Sequence, residues 1–437
     1  MEHYGNGPST GLDQTAAGKI TTGLTRDCLS IAPAERDVLR GLAERVAAIA
    51  AGTRMAEVRR LWHRINALQP TRPAIFCDPE NGWNEIITEA QMRCRGTLAR
   101  RWEMDLRKEI FWGEEMLDDK PVEPYFDVPY TVSPDDWGLQ AVYHRTERLG
   151  SCVWEAPIRD YRTDLKKLHS PTFAIDRETT RGCLSLAQDT FGDILRVRLK
   201  GIWWWSLGLT WTAATLRGLN NVLCDFIDYP DELKELLAII SKGHLEKLDN
   251  LEENDLLALN NDGTYVGSGG FGFTDELPQP GFTGRVLCHD MWGFTESQET
   301  VSVSPAMYEE FVFPYEKPIM ERFGLTCYGC CEPVHGRWSA VSRHHKLRRV
   351  SCSPWADLEK MAAWLGDRYV LSLKPNPASL ATPEIDEAAI RTHLRRVLDT
   401  TRGCVVELIM KDNHTIGNRP ENVVAWCRIA REEVQRS

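Results

Sequence analysis

The chain has 437 residues, a formal net charge of -11 at pH 7 and 42 % hydrophobic residues. This acidic balance excludes a general nucleic-acid binder, because such proteins neutralise phosphates with Lys and Arg. No run of about 18 apolar residues could span a bilayer and no secretion signal is visible, so we expect a cytoplasmic protein with neither a membrane nor a nucleic-acid partner. The 13 cysteines are spread along the chain, which indicates reduced thiols.

The first 70 residues precede the main domain. Residues 1–26 are rich in Gly, Ser and Thr and show no apolar period, which predicts a flexible N-terminal arm. Apolar residues then recur at helical spacing between Ser30 and Leu68, a pattern that predicts two helices. We therefore expect a helical extension over residues 27–70 and the main domain over residues 71–437.

The early part of the main domain is harder to interpret. Pro73–Cys77 is a short apolar run that enters the turn sequence Asp78-Pro79, the pattern of a buried strand. Pro121, Pro124, Pro129 and Pro134 occur between Gly113 and Ser170 among aromatic and acidic residues, and this pattern predicts a long irregular excursion. Ile194–Gly201 is typical of a strand.

Trp203–Trp205 is a run of three tryptophans with two interpretations. It packs in the core or an interface, or it forms the aromatic wall of a substrate pocket. Helices are predicted after it, at Trp211–Leu219 and Pro230–Glu253, the second with leucines and isoleucines on one side.

A regular alternation of strands and helices begins after this point. The short apolar runs are Leu256–Leu259, Val286–Cys288, Leu325–Cys327, Arg349–Cys352, Tyr369–Leu373 and Cys404–Met410. The helical stretches between them, each with Pro near its first turn, include Pro305–Phe323, Pro354–Leu365 and Pro383–Leu398. This alternation implies parallel βα units and predicts an α/β fold, a (β/α)8 TIM barrel with an N-terminal helical extension and insertions.

Polar residues follow most of the predicted strands. Val286–Cys288 is followed by Asp290 and Trp292, Leu325–Cys327 by Tyr328, Cys330 and Glu332, Tyr369–Leu373 by Lys374 and Asn376, and Cys404–Met410 by Lys411, Asp412, Asn413 and His414. Barrel enzymes place their active sites at the carboxyl ends of the strands. We therefore expect an active site built from these residues.

Four segments of the second half resemble the uroporphyrinogen decarboxylase-like superfamily. They are VSPAMYEEFVFPY from Val303, YGCCEP from Tyr328, SLKPNPASL from Ser372 and NHTIGNRPENV from Asn413. The resemblance covers roughly half of the chain. It implies a (β/α)8 barrel that carries out either decarboxylation, as in haem biosynthesis, or corrinoid-dependent methyl transfer.

The methyltransferase branch is the closer of the two. The decarboxylase branch holds the carboxylates of its substrate with arginines after the first barrel strand, whereas Phe76–Asn81 contains two acids and no arginine. An acidic mouth repels a substrate with many carboxylates. Members of the methyltransferase branch bind zinc through a His-x-Cys strand end, where this chain has Tyr328 at the His position and Cys330 at the Cys position.

This departure leads us to predict a different set of zinc ligands. Alternate residues of an extended strand face the same way, so Cys330 and Glu332 can share one site, with His414 as the third ligand and His335 or His289 as substitutes for it. Thiolate, carboxylate and imidazole are all zinc donors, and three protein ligands leave a position open for catalysis. The competing interpretation is that these are ordinary buried cysteines.

Further site residues are predicted from their places after strands. Asp290 and Glu296 are expected to orient or protonate a substrate, although Asp290 could instead cap a helix or pair with Arg285. The residues expected to bind substrate are Trp292, Tyr328, Lys374 and Asn376. The glycine-rich stretch Gly267–Gly272 is interpreted as a flexible active-site lid.

The resemblance implies a methyltransferase that moves a methyl group between a corrinoid (cobalamin) carrier protein and a small-molecule acceptor or donor, with a zinc ion at the barrel mouth. The methylated corrinoid would be supplied by that partner protein. The alternative is metal-free decarboxylation of a pyrrolic or aromatic carboxylic acid, and a barrel without catalytic activity that only binds a partner is a third hypothesis. The oligomeric state stays open, with a homodimer among the alternatives.

Overall fold

The computed structural model describes residues 28–145 and 152–437, so the predicted arm at residues 1–26 lies outside the described residues. The strands are β1 (Ala74–Cys77), β2 (Tyr125–Val128), β3 (Val142–Arg145), β4 (Cys152–Glu155), β5 (Arg196–Leu199), β6 (Trp292–Thr295), β7 (Leu325–Tyr328), β8 (Leu347–Cys352), β9 (Val370–Leu373) and β10 (Val405–Met410). The helices are α1 (Pro33–Ala50), α2 (Thr53–Asn66), α3 (Trp83–Ile86), α4 (Thr97–Phe111), α5 (Tyr161–Asp164), α6 (Arg177–Phe191), α7 (Leu209–Arg217), α8 (Leu219–Asp228), α9 (Pro230–Glu253), α10 (Pro305–Phe311), α11 (Phe313–Met320), α12 (Trp338–Val341), α13 (Leu358–Leu365), α14 (Glu387–Thr400) and α15 (Pro420–Arg436).

Eight parallel strands form the predicted (β/α)8 barrel. Six are hydrogen-bonded in the order β1-β10-β9-β8-β7-β6, and β2 pairs in parallel with β5. One backbone hydrogen bond crosses each of the two seams between these groups. At the seam between β1 and β2, the Asp119 N–H donates to the Ile75 carbonyl at 2.7 Å, and at the seam between β5 and β6, the Leu207 N–H donates to the Phe294 carbonyl at 2.9 Å. The remaining strands, β3 and β4, pair as an antiparallel hairpin inserted between β2 and β5. The predicted fold class is confirmed.

Three of the predicted elements are wrong. Val286–Cys288 is not a strand, because the chain turns at Cys288–Asp290 and β6 begins only at Trp292. Leu256 and Leu257 are buried, but the run Leu256–Leu259 does not form a strand. The excursion predicted between Gly113 and Ser170 contains barrel strand β2, whose four residues lie between prolines.

The glycine-rich stretch predicted to be a lid is buried inside the barrel. A Cβ added to Gly269, whose φ is 149°, would lie 2.5 Å from Cγ2 of Ile409 on β10, and one added to Gly270 would lie 2.7 Å from Oε2 of Glu407. A Cβ at Gly267 would approach Cys327 on β7 within 3.0 Å. Glycines allow the backbone to pass between the strands at these positions, so the stretch fills the barrel and is not a lid.

A buried ion pair crosses the barrel interior next to this stretch. Arg349 Nε of β8 lies 3.0 Å from Oε1 of Glu407 on β10, so the two side chains meet across β9. Arg349 Nη2 also donates to Oδ1 of Asn66 at the end of α2, at 2.7 Å. The amide nitrogen of Asn66 donates to the carbonyls of Phe271 and Phe273, both at 2.8 Å. Helix α2 is thereby joined to the barrel interior.

We expect Arg349→Met to lower the free energy of unfolding by about 3 kcal/mol, because it leaves the Glu407 carboxylate buried without its cation. Urea unfolding followed by circular dichroism measures the change. The double variant Arg349→Met with Glu407→Gln removes both charges and should recover most of the loss. A single variant as stable as the parent protein contradicts this account of the interior.

Helices α1 and α2 precede the first barrel strand, within the range predicted for a helical extension. The two interpretations of the tryptophan run apply to different residues. Trp203 packs in the core and donates its indole N–H to the Leu256 carbonyl, whereas Trp205 lies at the strand ends, next to Lys411. Within residues 28–145 and 152–437, none of the helices is long and apolar enough to cross a membrane.

Candidate active site

Polar side chains gather where four barrel strands end. Glu80 follows β1, Cys330 and Cys331 follow β7, Lys374 follows β9, and Lys411 and Asp412 follow β10. We call these six residues the mouth cluster. Cys330, Lys374 and Lys411 are 3 %, 4 % and 5 % exposed, so the mouth cluster is a nearly dry site in which charges interact strongly.

The Lys411 ammonium lies at the centre of the mouth cluster. Its Nζ is 3.6 Å from Oε1 of Glu80 and 3.6 Å from Oδ1 of Asp412, and it lies 5.5 Å from the ring centre of Trp205. Burial opposes the charge, but Tyr265, Cys330 and the two carboxyl groups outweigh it and raise the pKa of Lys411 well above its ordinary value. Lys411 is therefore a permanent cation at the mouth.

Cys330 is the thiol best placed to ionise. Its Sγ lies 3.6 Å from Sγ of Cys331, which in turn lies 3.7 Å from Oδ2 of Asp412. The hydrogen bond from Cys331 lowers the pKa of Cys330, against burial and with help from Lys411. The same bond raises the pKa of Cys331. Of the pair, Cys330 is therefore the thiol that ionises more readily.

Burial shifts the pKa values of both Glu80 and Lys374 against their charged forms. Burial raises the pKa of Glu80 to about 8, so its carboxyl is neutral at pH 7. Glu80 has a φ of 50°, and the preceding carboxylate of Asp78 holds this turn by accepting from the Glu80 N–H and the Trp83 indole, both at 3.1 Å. Burial lowers the pKa of Lys374 to about 8, and its Nζ donates to the Ser372 hydroxyl at 2.9 Å.

Two further buried carboxyl groups, Glu296 and Glu332, lie behind the mouth cluster. Glu332 accepts the backbone N–H of Ser297 at 2.9 Å with one oxygen and that of Cys330 at 2.8 Å with the other, so it holds the turn that carries Cys330. Glu296 accepts from the Ser206 hydroxyl at 3.1 Å. Burial, with the nearby Glu299 and Glu332, raises the pKa of Glu296 well above its ordinary value.

The three predicted zinc ligands do not form a ligand set in this arrangement. Each oxygen of Glu332 accepts a backbone N–H, and His414 is exposed, with its Nδ1 3.3 Å from Nδ2 of Asn81. No three His, Cys, Asp or Glu side chains in the described part of the chain could hold a metal ion together. The residues therefore do not fit zinc as we predicted it.

Asp290 and Trp292 lie at the opposite end of the barrel from the mouth cluster, because β6 starts after Asp290. The Asp290 carboxylate accepts the backbone N–H groups of Gln279 at 3.0 Å and Leu287 at 3.1 Å, which is a turn-capping role. The indole of Trp292, the first residue of β6, donates to the Gly272 carbonyl inside the barrel. Their predicted placement after a strand is wrong.

Tyr328 and Asn376 also point away from the mouth cluster. The Tyr328 ring stacks on His344 at 5.1 Å and meets Tyr308 of α10 at 6.5 Å, so it faces the helices. Asn376 is exposed and caps the turn that follows by accepting the Ala378 N–H at 3.0 Å. Of the predicted substrate-binding residues, the structure brings only Lys374 to Cys330.

Lys411 and Asp412 were expected in the active site but were given no role from the sequence, and Glu80 and Cys331 were not predicted as site residues. All four lie within three residues of the end of a strand, which was a usable signal. The sequence does not show which polar strand-end residues meet, because this depends on the pairing of β1 with β10, in which Cys77 lies opposite Met410. That pairing brings Glu80 and Lys411 together.

A cleft of about 420 Å³, which we call the seam cleft, opens at the seam between β1 and β2. Its volume is within the range of about 300–1,000 Å³ for small-molecule sites. Its aromatic walls are Trp83, Trp112, Tyr125, Phe126 and Phe271. Lys200 in this cleft is buried and donates to both oxygens of Asp262, at 3.0 and 2.9 Å. Lys200 also borders a cavity of about 40 Å³ that reaches Trp205, the neighbour of Lys411.

No protein-family model matches the chain, and no curated protein matches it. Among solved structures, the chain is similar to a methyltransferase from Methanosarcina mazei, at 12 % sequence identity and a TM-score of 0.49. The match covers 86 % of this chain and 98 % of that chain. A similarity at this identity and score carries no conclusion about activity, and the resemblance based on sequence segments stays a prediction.

Proposed function

We propose that this chain is a methyltransferase that moves a methyl group between a small molecule and a corrinoid held by a carrier protein. The observation that carries the proposal is the buried Cys330 thiol, whose pKa is lowered by the contact with Cys331 at 3.6 Å and by the charge of Lys411 in a nearly dry barrel mouth. The sequence segments that resemble corrinoid-dependent methyltransferases supply the reaction class.

Cys330 serves as the base in this proposal. A small-molecule acceptor must lose the proton on its nucleophilic atom before it can take a methyl group, and a thiolate of lowered pKa accepts that proton near neutral pH. Sγ of Cys330 holds the proton while the methyl group is transferred. In the reverse direction, the same Sγ returns the proton to the atom that loses the methyl group.

Lys411 and Glu80 set the charge around the acceptor. The Lys411 ammonium stabilises the negative charge that develops on the acceptor when its proton leaves. The neutral carboxyl of Glu80 lies 3.6 Å from Lys411 without cancelling that charge. Glu332 positions Cys330 through its backbone N–H, at 2.8 Å.

The corrinoid supplies or accepts the methyl group when its carrier is bound. Neither the seam cleft nor the smaller cavity beside Trp205 is lined by Cys330, so neither is assigned to the corrinoid ring. No catalytic step is assigned to zinc, because Cys330, Glu332 and His414 do not form a ligand set.

The proposal is tested with free methylcobalamin as the methyl source and a panel of small thiols and alcohols as acceptors. Absorbance follows the loss of methylcobalamin, and mass spectrometry identifies the methylated product. The metal content of the protein is measured before the assay. We expect turnover with at least one acceptor. Absence of turnover in both directions, with donors as well as acceptors, contradicts the proposal.

Decarboxylation is the second candidate, and the two buried lysines of the mouth cluster favour it. Lys374 and Lys411 could hold a substrate carboxylate. Release of CO2 from pyrrolic or aromatic acids, without methyl transfer, would support this function. We expect no appreciable turnover of uroporphyrinogen, because the loop after β1 carries Asp78 and Glu80 in place of arginines.

Replacing Glu80 by Gln should change how the rate of methyl transfer depends on pH. Glu80 has a pKa of about 8, so it is neutral below pH 8 and ionises above it, where its charge offsets Lys411 and disfavours the Cys330 thiolate. The parent rate should therefore fall above pH 8. Glu80→Gln stays neutral and should match the parent at pH 7 but exceed it by about tenfold at pH 9. Parallel pH profiles for the two proteins would contradict this role.

A further inference from the structure

We propose that Cys330 and Cys331 form an oxidation site, at which a peroxide converts the two adjacent thiols into a reversible disulfide. Their Sγ atoms are 3.6 Å apart, and a disulfide bond is about 2.05 Å long, so closure needs a side-chain movement of about 1.5 Å. The formation of this bond does not depend on the proposed function. Its effect on methyl transfer does.

The two thiols suit the two roles in such an oxidation, in which one cysteine attacks the peroxide and the other then forms the disulfide. The contact with Cys331 at 3.6 Å lowers the pKa of Cys330, with help from the Lys411 charge, which favours the thiolate, the form that attacks a peroxide. Cys331 is partly exposed and therefore gives a small oxidant access to the pair. Its Sγ lies 3.7 Å from the Asp412 carboxylate, which can take the proton when Cys331 reacts in turn. Such sensors typically pair an ionised cysteine with a second, resolving cysteine.

The oxidation proceeds in two balanced steps. The Cys330 thiolate attacks one oxygen of hydrogen peroxide, the O–O bond breaks, and Cys330 becomes a sulfenic acid as hydroxide leaves. Sγ of Cys331 then attacks Sγ of Cys330, the S–O bond breaks, and the hydroxyl leaves as water with the proton of Cys331. The two cysteines lose two electrons in total, and the hydroxide takes up a proton from solvent, so that the peroxide is reduced to two water molecules.

Adjacency in the chain makes this disulfide easy to reverse. Consecutive Cα atoms are about 3.8 Å apart, below the range of about 4.4–6.8 Å that most disulfides span. The resulting strain makes the bond more readily reduced by thiols, which is the property of regulatory rather than structural disulfides. While the bond exists, Cys330 cannot act as a base.

The test treats the full chain with hydrogen peroxide and maps the peptide that contains residues 330–331 by mass spectrometry. We expect that peptide to lose two hydrogen atoms, both thiols to resist iodoacetamide, and dithiothreitol to restore the thiols together with methyl transfer. The variant Cys331→Ser has no resolving thiol, so dimedone should trap a sulfenic acid on Cys330. The matched control Cys224→Ser, which removes an exposed cysteine of α8, should behave as the parent.

Two results would overturn the proposal. One is that both thiols stay reduced in the presence of peroxide. The other is that Cys330 passes directly to a sulfinic acid in the parent protein, as it would without a resolving partner. If the disulfide forms and dithiothreitol reverses it but no methyl transfer is found in any sample, the oxidation site stands and the proposed function fails, so the two failures are distinguishable.

Discussion

Replacing Cys330 by Ser should reduce the rate of methyl transfer by about 10³-fold or more, the scale of loss when an essential catalytic side chain is removed. A serine hydroxyl does not ionise near neutral pH, so no base faces the acceptor. The folded state should survive, because the change is small and Glu332 still accepts the backbone N–H of residue 330. Initial rates with methylcobalamin and circular dichroism measure the two effects.

The matched control for this prediction is Cys331→Ser, which changes the adjacent cysteine. Its hydroxyl can still donate a hydrogen bond to Sγ of Cys330, so the loss of activity should be much smaller. Metal content is measured in all three proteins. Full activity in Cys330→Ser would exclude Cys330 as the base, whereas a metal that is bound by the parent and lost from the variant would restore the metal mechanism predicted from the sequence.

The second large effect is expected for Lys411→Met, which removes the buried cation while it keeps most of the side-chain volume. The rate at pH 7 should fall by about 10²-fold, because the acceptor loses its electrostatic partner. The pKa of Cys330 should also rise, since Lys411 now lowers it. The rate should then reach half of its maximum at a higher pH than in the parent. Rates across pH, with the pH dependence of iodoacetamide labelling at Cys330, measure both effects.

Lys411→Arg is the conservative control, because it keeps the charge in a bulkier group. In Lys411→Arg, the pH dependence of iodoacetamide labelling at Cys330 should stay close to that of the parent, even if the bulkier side chain lowers the rate of methyl transfer. A purely structural role for Lys411 predicts the opposite pattern, in which both variants lose stability and neither shifts the labelling curve.

The seam cleft, which Cys330 does not line, indicates the class of ligand that the cleft itself could hold. Its charged groups pair within the protein: Arg198 contacts Asp127 at 2.7 and 2.9 Å, and Lys200 contacts Asp262. A strongly charged ligand would have to break one of these pairs. The aromatic walls therefore favour a small molecule that is largely apolar at the end that enters first.

The later barrel strands could be predicted from the sequence because their signal is local. Strands β9 (VLSL) and β10 (VVELIM) are mostly apolar and fully buried, which is the pattern of strands covered on both faces, and helices α14 and α15 follow them in the chain. Strand β2 lacks this signal, since tyrosine and aspartate alternate with its two buried residues. Strand β6 was placed six residues too early because Val286–Cys288 is more uniformly apolar than Trp292–Thr295.

Part of the active site could likewise be predicted from local order. Cys330 and Lys374 follow strands whose positions were correct, so they lie at the predicted end of the barrel. Asp290 was misplaced together with its strand. Tyr328 is the last residue of β7 and faces the helices, because neighbouring residues in a strand point to opposite faces.

Only the closed barrel determines which strand-end residues meet. The sequence determined that Glu80 follows one strand and Lys411 another, but their 3.6 Å contact exists because β1 pairs with β10. Burial is equally a property of the whole fold, and burial is what makes Glu80 neutral at pH 7. From the sequence, Glu332 is a potential metal ligand, yet in the fold each of its oxygens accepts a hydrogen bond from a backbone N–H group. A spacing in the chain specifies which residues can share a site, whereas the partners that each side chain finds depend on distant segments.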